Sequence, residues 1–216
     1  MKPIDLQIAN LGILPVIKLS HPQRDAAPLA DALCAGGLPA AEVTFRAEGA
    51  DQAIRIMRDT HPEMVVGAGT VLTPAQVDAA HQAGAQFIVS PGFSHKVVER
   101  ALQLGLAVYP GCTTPTEYQM GLEYGLEVLK FFPAEQSGGL AKIKSMSAPF
   151  PMIRVMPTGG ISLKNLREYL SCPAVCACGG TYMVSSQLID NQDWEKISEL
   201  CRESVQIVKE VRSNGK

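Results

Sequence analysis

No excess of either charge runs through this sequence: 19 Lys and Arg stand against 21 Asp and Glu, for a net charge of -2. Such a balance supplies no field for capturing nucleic acid or an anionic membrane surface, which excludes polyanion binding as the main activity. Long apolar runs are missing as well. No stretch is long enough to span a bilayer, and the opening MKPIDLQIANLG is broken by Asp5, Gln7 and Asn10 before a signal-peptide core is complete. A cytoplasmic protein is expected. There is no Pro/Ser-rich linker and no shift in composition along the chain. With 216 residues available for a substantial core, residues 1–216 are expected to form one domain.

Paired C-x-x-C knuckles are also absent. Cys34, Cys112, Cys172, Cys176, Cys178 and Cys201 are spread along a chain too long for a disulfide-framed mini-domain, so free thiols are expected. Cys172, Cys176 and Cys178 have no histidine nearby and read as small apolar residues on a buried strand rather than as zinc ligands. Of the four histidines, none forms a close pair, and His61, His81 and His95 fall within or at the starts of helical segments. No catalytic metal is expected.

What the chain does have is a repeat of short apolar runs. They cover 15–20, 41–46, 64–70, 86–92, 106–111, 127–133, 153–160 and 174–180, eight candidate strands in all. Between them lie amphipathic segments such as RDAAPLADALCAGG, TPAQVDAAHQAG, SHKVVERALQLG and SLKNLREYLSC, most opened by Ser, Thr or Asp and several closed by Gly. Nearly continuous apolar strands alternating with helices indicate a parallel sheet covered on both faces. Eight such units indicate an α/β chain folded as a (β/α)₈ barrel with a short N-terminal helix, an open doubly wound sheet being the alternative. Trp194, Ile197, Cys201, Val205 and Val208 form a stripe that would pack a final helix on the barrel wall.

In such barrels chemistry gathers where the strands end. By the period of two, Glu42, Thr44 and Arg46 share one face of the second run, and Lys130 and Phe132 share one face of the sixth. Thr70 closes the third run. If Lys130 faces inward it meets Glu42 across the barrel mouth. Taking an ammonium out of water favours its neutral form, and a neutral amine attacks a ketone or aldehyde carbon to form an iminium. Alternatively, Lys130 snorkels to solvent or makes a structural ion pair. Pro91, in the SPG at the end of the fourth run, either shapes a pocket or merely turns the chain, and Glu135 reads as a loop residue. The seventh and eighth runs end in PTGGIS and GGTYM. Paired glycines at these two strand ends, followed by a helix starting at Ser162 or a short turn, make a phosphate-site pattern.

The motifs AEVTFR, VGAGTV, IVSPG, LKFFPAE, PTGGI and CGGTYM, in this order and spacing, resemble those of the 2-keto-3-deoxy-6-phosphogluconate aldolase family, which includes 4-hydroxy-2-oxoglutarate aldolases. The resemblance covers nearly the whole chain and rests most heavily on LKFFPAE with EVTFR. It implies a barrel, usually trimeric, that needs no cofactor or metal and takes a small phosphorylated keto sugar acid. It also implies Lys130 as the Schiff-base lysine and Glu42 as the proton carrier. Arg46 and Thr70 would hold the pyruvate carboxylate, with Phe132 beside the pyruvyl group; Pro91 is kept as a substrate-pocket candidate, the plain turn remaining its alternative. The phosphate end is implied at Thr158, Gly159, Gly160, Gly179, Gly180 and Thr181. Thr181 and Tyr182 stand where many members carry Ser and Trp, which leaves the preferred aldehyde open. A metal-dependent aldolase, a phosphate-binding isomerase and a non-catalytic binding protein on the same scaffold are the rival readings.

Overall fold

The computed structural model describes residues 1–213. A short helix α1 (Pro3–Leu11) precedes eight strands: β1 (Ile13–Ile17), β2 (Ala40–Thr44), β3 (Val65–Gly69), β4 (Phe87–Val89), β5 (Ala107–Tyr109), β6 (Val128–Phe131), β7 (Arg154–Pro157) and β8 (Cys178–Gly180). Seven helices separate them: α2 (Pro22–Ala35), α3 (Ala50–Thr60), α4 (Pro74–Gln82), α5 (His95–Gln103), α6 (Pro115–Glu123), α7 (Gly139–Ser147) and α8 (Leu166–Leu170). A 3-10 turn (Tyr182–Val184), α9 (Ser186–Asp190) and the long α10 (Trp194–Ser213) complete the chain. Several helices begin where local chemistry dictates. Pro3, Pro22, Pro74 and Pro115 take first-turn positions that need no backbone donor. At α6, Thr114 and Glu117 exchange backbone bonds in a capping box.

All strand pairs are parallel. Six strands form one curled sheet in the order β5-β4-β3-β2-β1-β8, and β6 pairs with β7. The pieces touch at both edges: Lys130 N donates to Pro110 O (3.0 Å) and Cys112 N to Lys130 O (2.8 Å), while Thr158 bridges Gly179. The expected eight units are present, but the ladder between β5 and β6 and between β7 and β8 is reduced to bridges beyond the strand ends. No helix among the described residues is long and apolar enough to cross a membrane.

Alternation divides the apolar residues into two layers. Ile17, Val43, Val66, Ile88, Leu129 and Phe131 point outward and pack beneath the helices. Leu14, Ala40, Val65, Phe87, Tyr109, Val128 and Met156 point into the concave side, joined by Ile8 from α1. Space for Phe87 comes from Gly67, where a Cβ would lie 2.4 Å from the ring. Below this layer Asp5 accepts from the Tyr109 hydroxyl at 2.6 Å, and burial followed by the Asp5 charge pushes the phenol pKa up. The apolar floor therefore fills the N-terminal half of the interior and leaves the polar residues to the C-terminal strand ends.

The six thiols are unpaired. Only Cys178 of its group lies on a strand; Cys172 and Cys176 precede β8, and Cys176 is half-buried, so a single buried strand carrying all three is corrected. Trp194 is half-buried against the outer apolar layer.

Candidate active site

Two steps of alternation above the apolar floor set the site. Glu42 follows Ala40 on the inner face of β2, and Lys130 follows Val128 on the inner face of β6. They meet across the interior. Lys130 Nζ donates to Glu42 Oε1 at 3.2 Å, with the lysine 5% exposed and the glutamate wholly buried. The carboxylate has room because residue 69 is Gly; a Cβ there would fall 2.3 Å from Glu42 Oε1. Phe132 is half-buried, with its ring centroid 5.1 Å from Lys130 Nζ.

Arg46 is placed differently from the strand-face expectation. β2 ends at Thr44, where Phe45 N turns to Gly69 O (2.8 Å), so Arg46 sits in the following turn and is exposed. Thr44 reaches it instead. Its hydroxyl donates to Ile17 O (2.7 Å) and accepts from Arg46 Nε (3.2 Å), which ties the guanidinium to the β1–β2 edge. A satisfied strand hydroxyl is a weak sequence signal, and this link was legible only once the turn was seen.

Thr70 follows β3 next to the end of β2, since Thr44 pairs with Gly69. It is half-buried with φ 53°. A β-branched residue seldom enters this left-handed region, and such strain gathers at functional positions. Pro91 is half-exposed just past β4, its carbonyl 2.1 Å from where a Cβ on Gly111 would stand, so these two loops touch through backbone.

At β7 and β8, Thr158 is buried and bridges Gly179, whose missing Cβ would lie 2.2 Å from Thr158 Oγ1. Gly159 and Gly160 both have left-handed φ, 101° and 80°; at Gly160 a Cβ would also strike Glu135 Cγ at 2.3 Å. Glu135 is exposed and accepts from the Tyr169 hydroxyl. Gly180 is buried and Thr181 exposed beside it. Ser162 does not start a helix. Asn165 Oδ1 accepts from Ser162 N (2.8 Å), which closes a turn, and α8 begins at Leu166. Tyr182 turns away to Ser204 on α10 (2.5 Å).

Two buried polar atoms on this inner surface have no hydrogen-bond partner among the described residues, Glu42 Oε2 and Thr158 Oγ1. Native interiors rarely leave such atoms unpaired, so each has hydrogen-bonding capacity left for a bound molecule. The surface thus offers a shielded amine, an adjacent carboxylate, a guanidinium tied to the rim and glycines at the ends of the neighbouring β7 and β8.

Residues 4–200 match the family profile described as KDPG and KHG aldolase. A 2-dehydro-3-deoxy-phosphogluconate aldolase of Haemophilus influenzae is 43% identical over 203 residues, covering 94% of this chain and 95% of its own. The chain belongs to the KDPG and KHG aldolase family. A Treponema pallidum protein of the same name is 45% identical over 201 residues, covering 93% of this chain and 95% of its own. Among solved structures, a KDPG aldolase from Legionella pneumophila, with pyruvate captured at low pH as a covalent carbinolamine intermediate, superposes with a TM-score of 0.89. It is 38% identical, covering 93% of this chain and 97% of its own.

Proposed function

We propose that this chain is a Schiff-base aldolase that reversibly splits 2-keto-3-deoxy-6-phosphogluconate into pyruvate and glyceraldehyde 3-phosphate. The observation that carries the reading is the buried pair of Lys130 and Glu42 at 3.2 Å, in a chain of this family.

The neutral Lys130 amine adds to the C2 carbonyl carbon, and the resulting carbinolamine loses water to leave an iminium. Glu42, beside Nζ, takes the ammonium proton and returns one to the departing hydroxyl. The bond from C3 to C4 then breaks. Its electron pair moves toward the iminium nitrogen, giving an enamine, while the C4 hydroxyl gives up its proton, through water, to Glu42. Glyceraldehyde 3-phosphate leaves, C3 is protonated, and hydrolysis of the imine frees pyruvate and Lys130. A shielded site keeps the amine from rehydration and the enamine from side reactions.

Arg46 and Thr70 hold the keto-acid carboxylate, a task suited to a guanidinium fork and a hydroxyl. Phe132 and Pro91 pack beside the pyruvyl group. Thr158 turns its free hydroxyl to the substrate, and Gly159, Gly160, Gly179, Gly180 and Thr181 take the phosphate on backbone N–H groups and one hydroxyl. The strands close as a (β/α)₈ barrel within one domain, a reading supported by the bridges at Lys130 and Thr158. The protein works in the cytoplasm as a homotrimer on a small-molecule substrate.

The family also covers KHG aldolases, which favours a second reading with unphosphorylated 4-hydroxy-2-oxoglutarate as substrate; a galactonate-derived phosphorylated epimer is the third. Turnover of the three compounds separates them, with the phosphorylated gluconate compound expected to be best by kcat/KM. For the mechanism itself, Lys130→Arg keeps a cation opposite Glu42, so it folds as the parent does while turnover falls by about four orders of magnitude. Turnover within tenfold of the parent would remove Lys130 from the chemistry.

A further inference from the structure

A second cluster of reactive side chains lies at the other end of the molecule. Asp31 and Cys34 sit three residues apart in the last turns of α2, and therefore on one face. His61 and Glu63 occupy the loop from α3 into β3. The donor atoms of Cys34, His61 and Glu63 all lie within 4.8 Å of one another. Cys34 Sγ is 3.9 Å from Glu63 Oε1, and His61 Nε2 is 3.1 Å from Asp31 Oδ1.

The loop is firmly held. His61 N donates to Met57 O (2.9 Å), and Arg58 Nη1 donates to the carbonyls of Pro62 and Met64 at 2.7 Å each, on either side of Glu63. The imidazole is oriented as well. Thr60 Oγ1 donates to Ile56 O (2.8 Å), so it accepts from His61 Nδ1–H (3.1 Å), and Nε2 is left facing the carboxylates and the thiol. Nε2 and Asp31 Oδ1, 3.1 Å apart, are thus both placed to share a cation beside Cys34 and Glu63. Metal-binding histidines are commonly fixed through the far nitrogen in this way.

We infer that Asp31, Cys34, His61 and Glu63 bind a zinc-class divalent cation that ties α2 to the α3–β3 loop. One thiolate, one imidazole and two carboxylates make a borderline-soft donor set that suits zinc better than the oxygen-seeking magnesium or calcium. Bond lengths to zinc imply donor separations of roughly 3.3 to 3.8 Å around a tetrahedron, so side-chain rotations closing about 1 Å bring Cys34, His61 and Glu63 to bonding geometry, and Asp31, 3.1 Å from His61 Nε2, turns in as the fourth donor. Cys34 and His61 are half-buried, whereas Asp31 and Glu63 are exposed and leave an entry path. The loop precedes β3 and the end of α2 precedes β2, which puts the cation at the N-terminal strand ends, away from Lys130. Its role is structural, not part of the carbonyl chemistry.

Chelator-treated full-length protein titrated with zinc chloride provides the test, read by calorimetry, thermal unfolding and the absorption spectrum with cobalt(II). One zinc per chain is expected, and at a hundred times Kd the midpoint rises by roughly 5 to 10 °C. Cobalt should show a thiolate charge-transfer band that Cys34→Ser abolishes. His61→Ala and the exposed Glu63→Gln each weaken zinc binding at least about tenfold. Equal binding in the parent and these folded variants, absence of the thiolate band, or an equal response to magnesium would overturn the inference.

Discussion

At the scale of single residues, Lys130 and Glu42 are joined by one bond, and the second carboxylate oxygen is left without a partner. A pair evolved for stability alone would satisfy both oxygens, because an unpaired buried acceptor is costly. Thr44 has a different duty: it touches Arg46 rather than the reacting atoms, which makes it a positioning residue. Thr44→Val removes the bonds to Ile17 and Arg46 while keeping the shape. Steady-state kinetics on the phosphorylated keto acid should show KM raised roughly tenfold with kcat nearly unchanged, since holding a carboxylate binds ground and transition states alike. Thr44→Ser should restore KM. An unchanged KM in Thr44→Val would mean that Arg46 needs no such support.

At the scale of elements, the end of α2 packs tightly against α10. A Cβ on Gly36 would sit 2.4 Å from Cys201 Cβ and 2.9 Å from Ser198 O, and Ser198 Oγ donates to Ala32 O at 2.8 Å. Gly36→Ala should therefore lower stability by about 1 to 3 kcal/mol, read as a lower urea midpoint, with kcat retained. A parent-like midpoint would show that α10 yields freely. The recurring short apolar runs were sufficient to locate all eight strands to within a few residues, and period-two alternation put Glu42 and Arg46 on one face and Lys130 and Phe132 on one face, while only the fold shows Glu42 and Lys130 turned inward together. Element ends were less legible. The polar-apolar alternation of AEVTFR continues past Thr44, yet the chain turns there, and Ser162 looked like a helix start although Asn165 captures its N–H first. Of the candidate site, Glu42, Lys130 and Phe132 were readable from alternation, whereas the grip of Thr44 on Arg46 depended on turn geometry. The cluster of Cys34, His61 and Glu63 was invisible along the chain, since only the packing of α2 against the α3–β3 loop brings it together.

At the scale of the whole molecule, the curled sheet separates its two ends by function. α1 and the apolar layer of Leu14, Phe87, Tyr109 and Met156 fill the N-terminal half, so the buried Lys130 amine stands on an apolar floor with the strand ends on its other side. Under the proposed mechanism that arrangement reserves one amine for carbonyl chemistry, while the other described lysines remain in contact with water. Reduction with borohydride in the presence of pyruvate, followed by peptide mass spectrometry, tests this most directly. N-(1-carboxyethyl)lysine at position 130 and at no other lysine is the predicted result; an unmodified Lys130 under conditions of full turnover would contradict it.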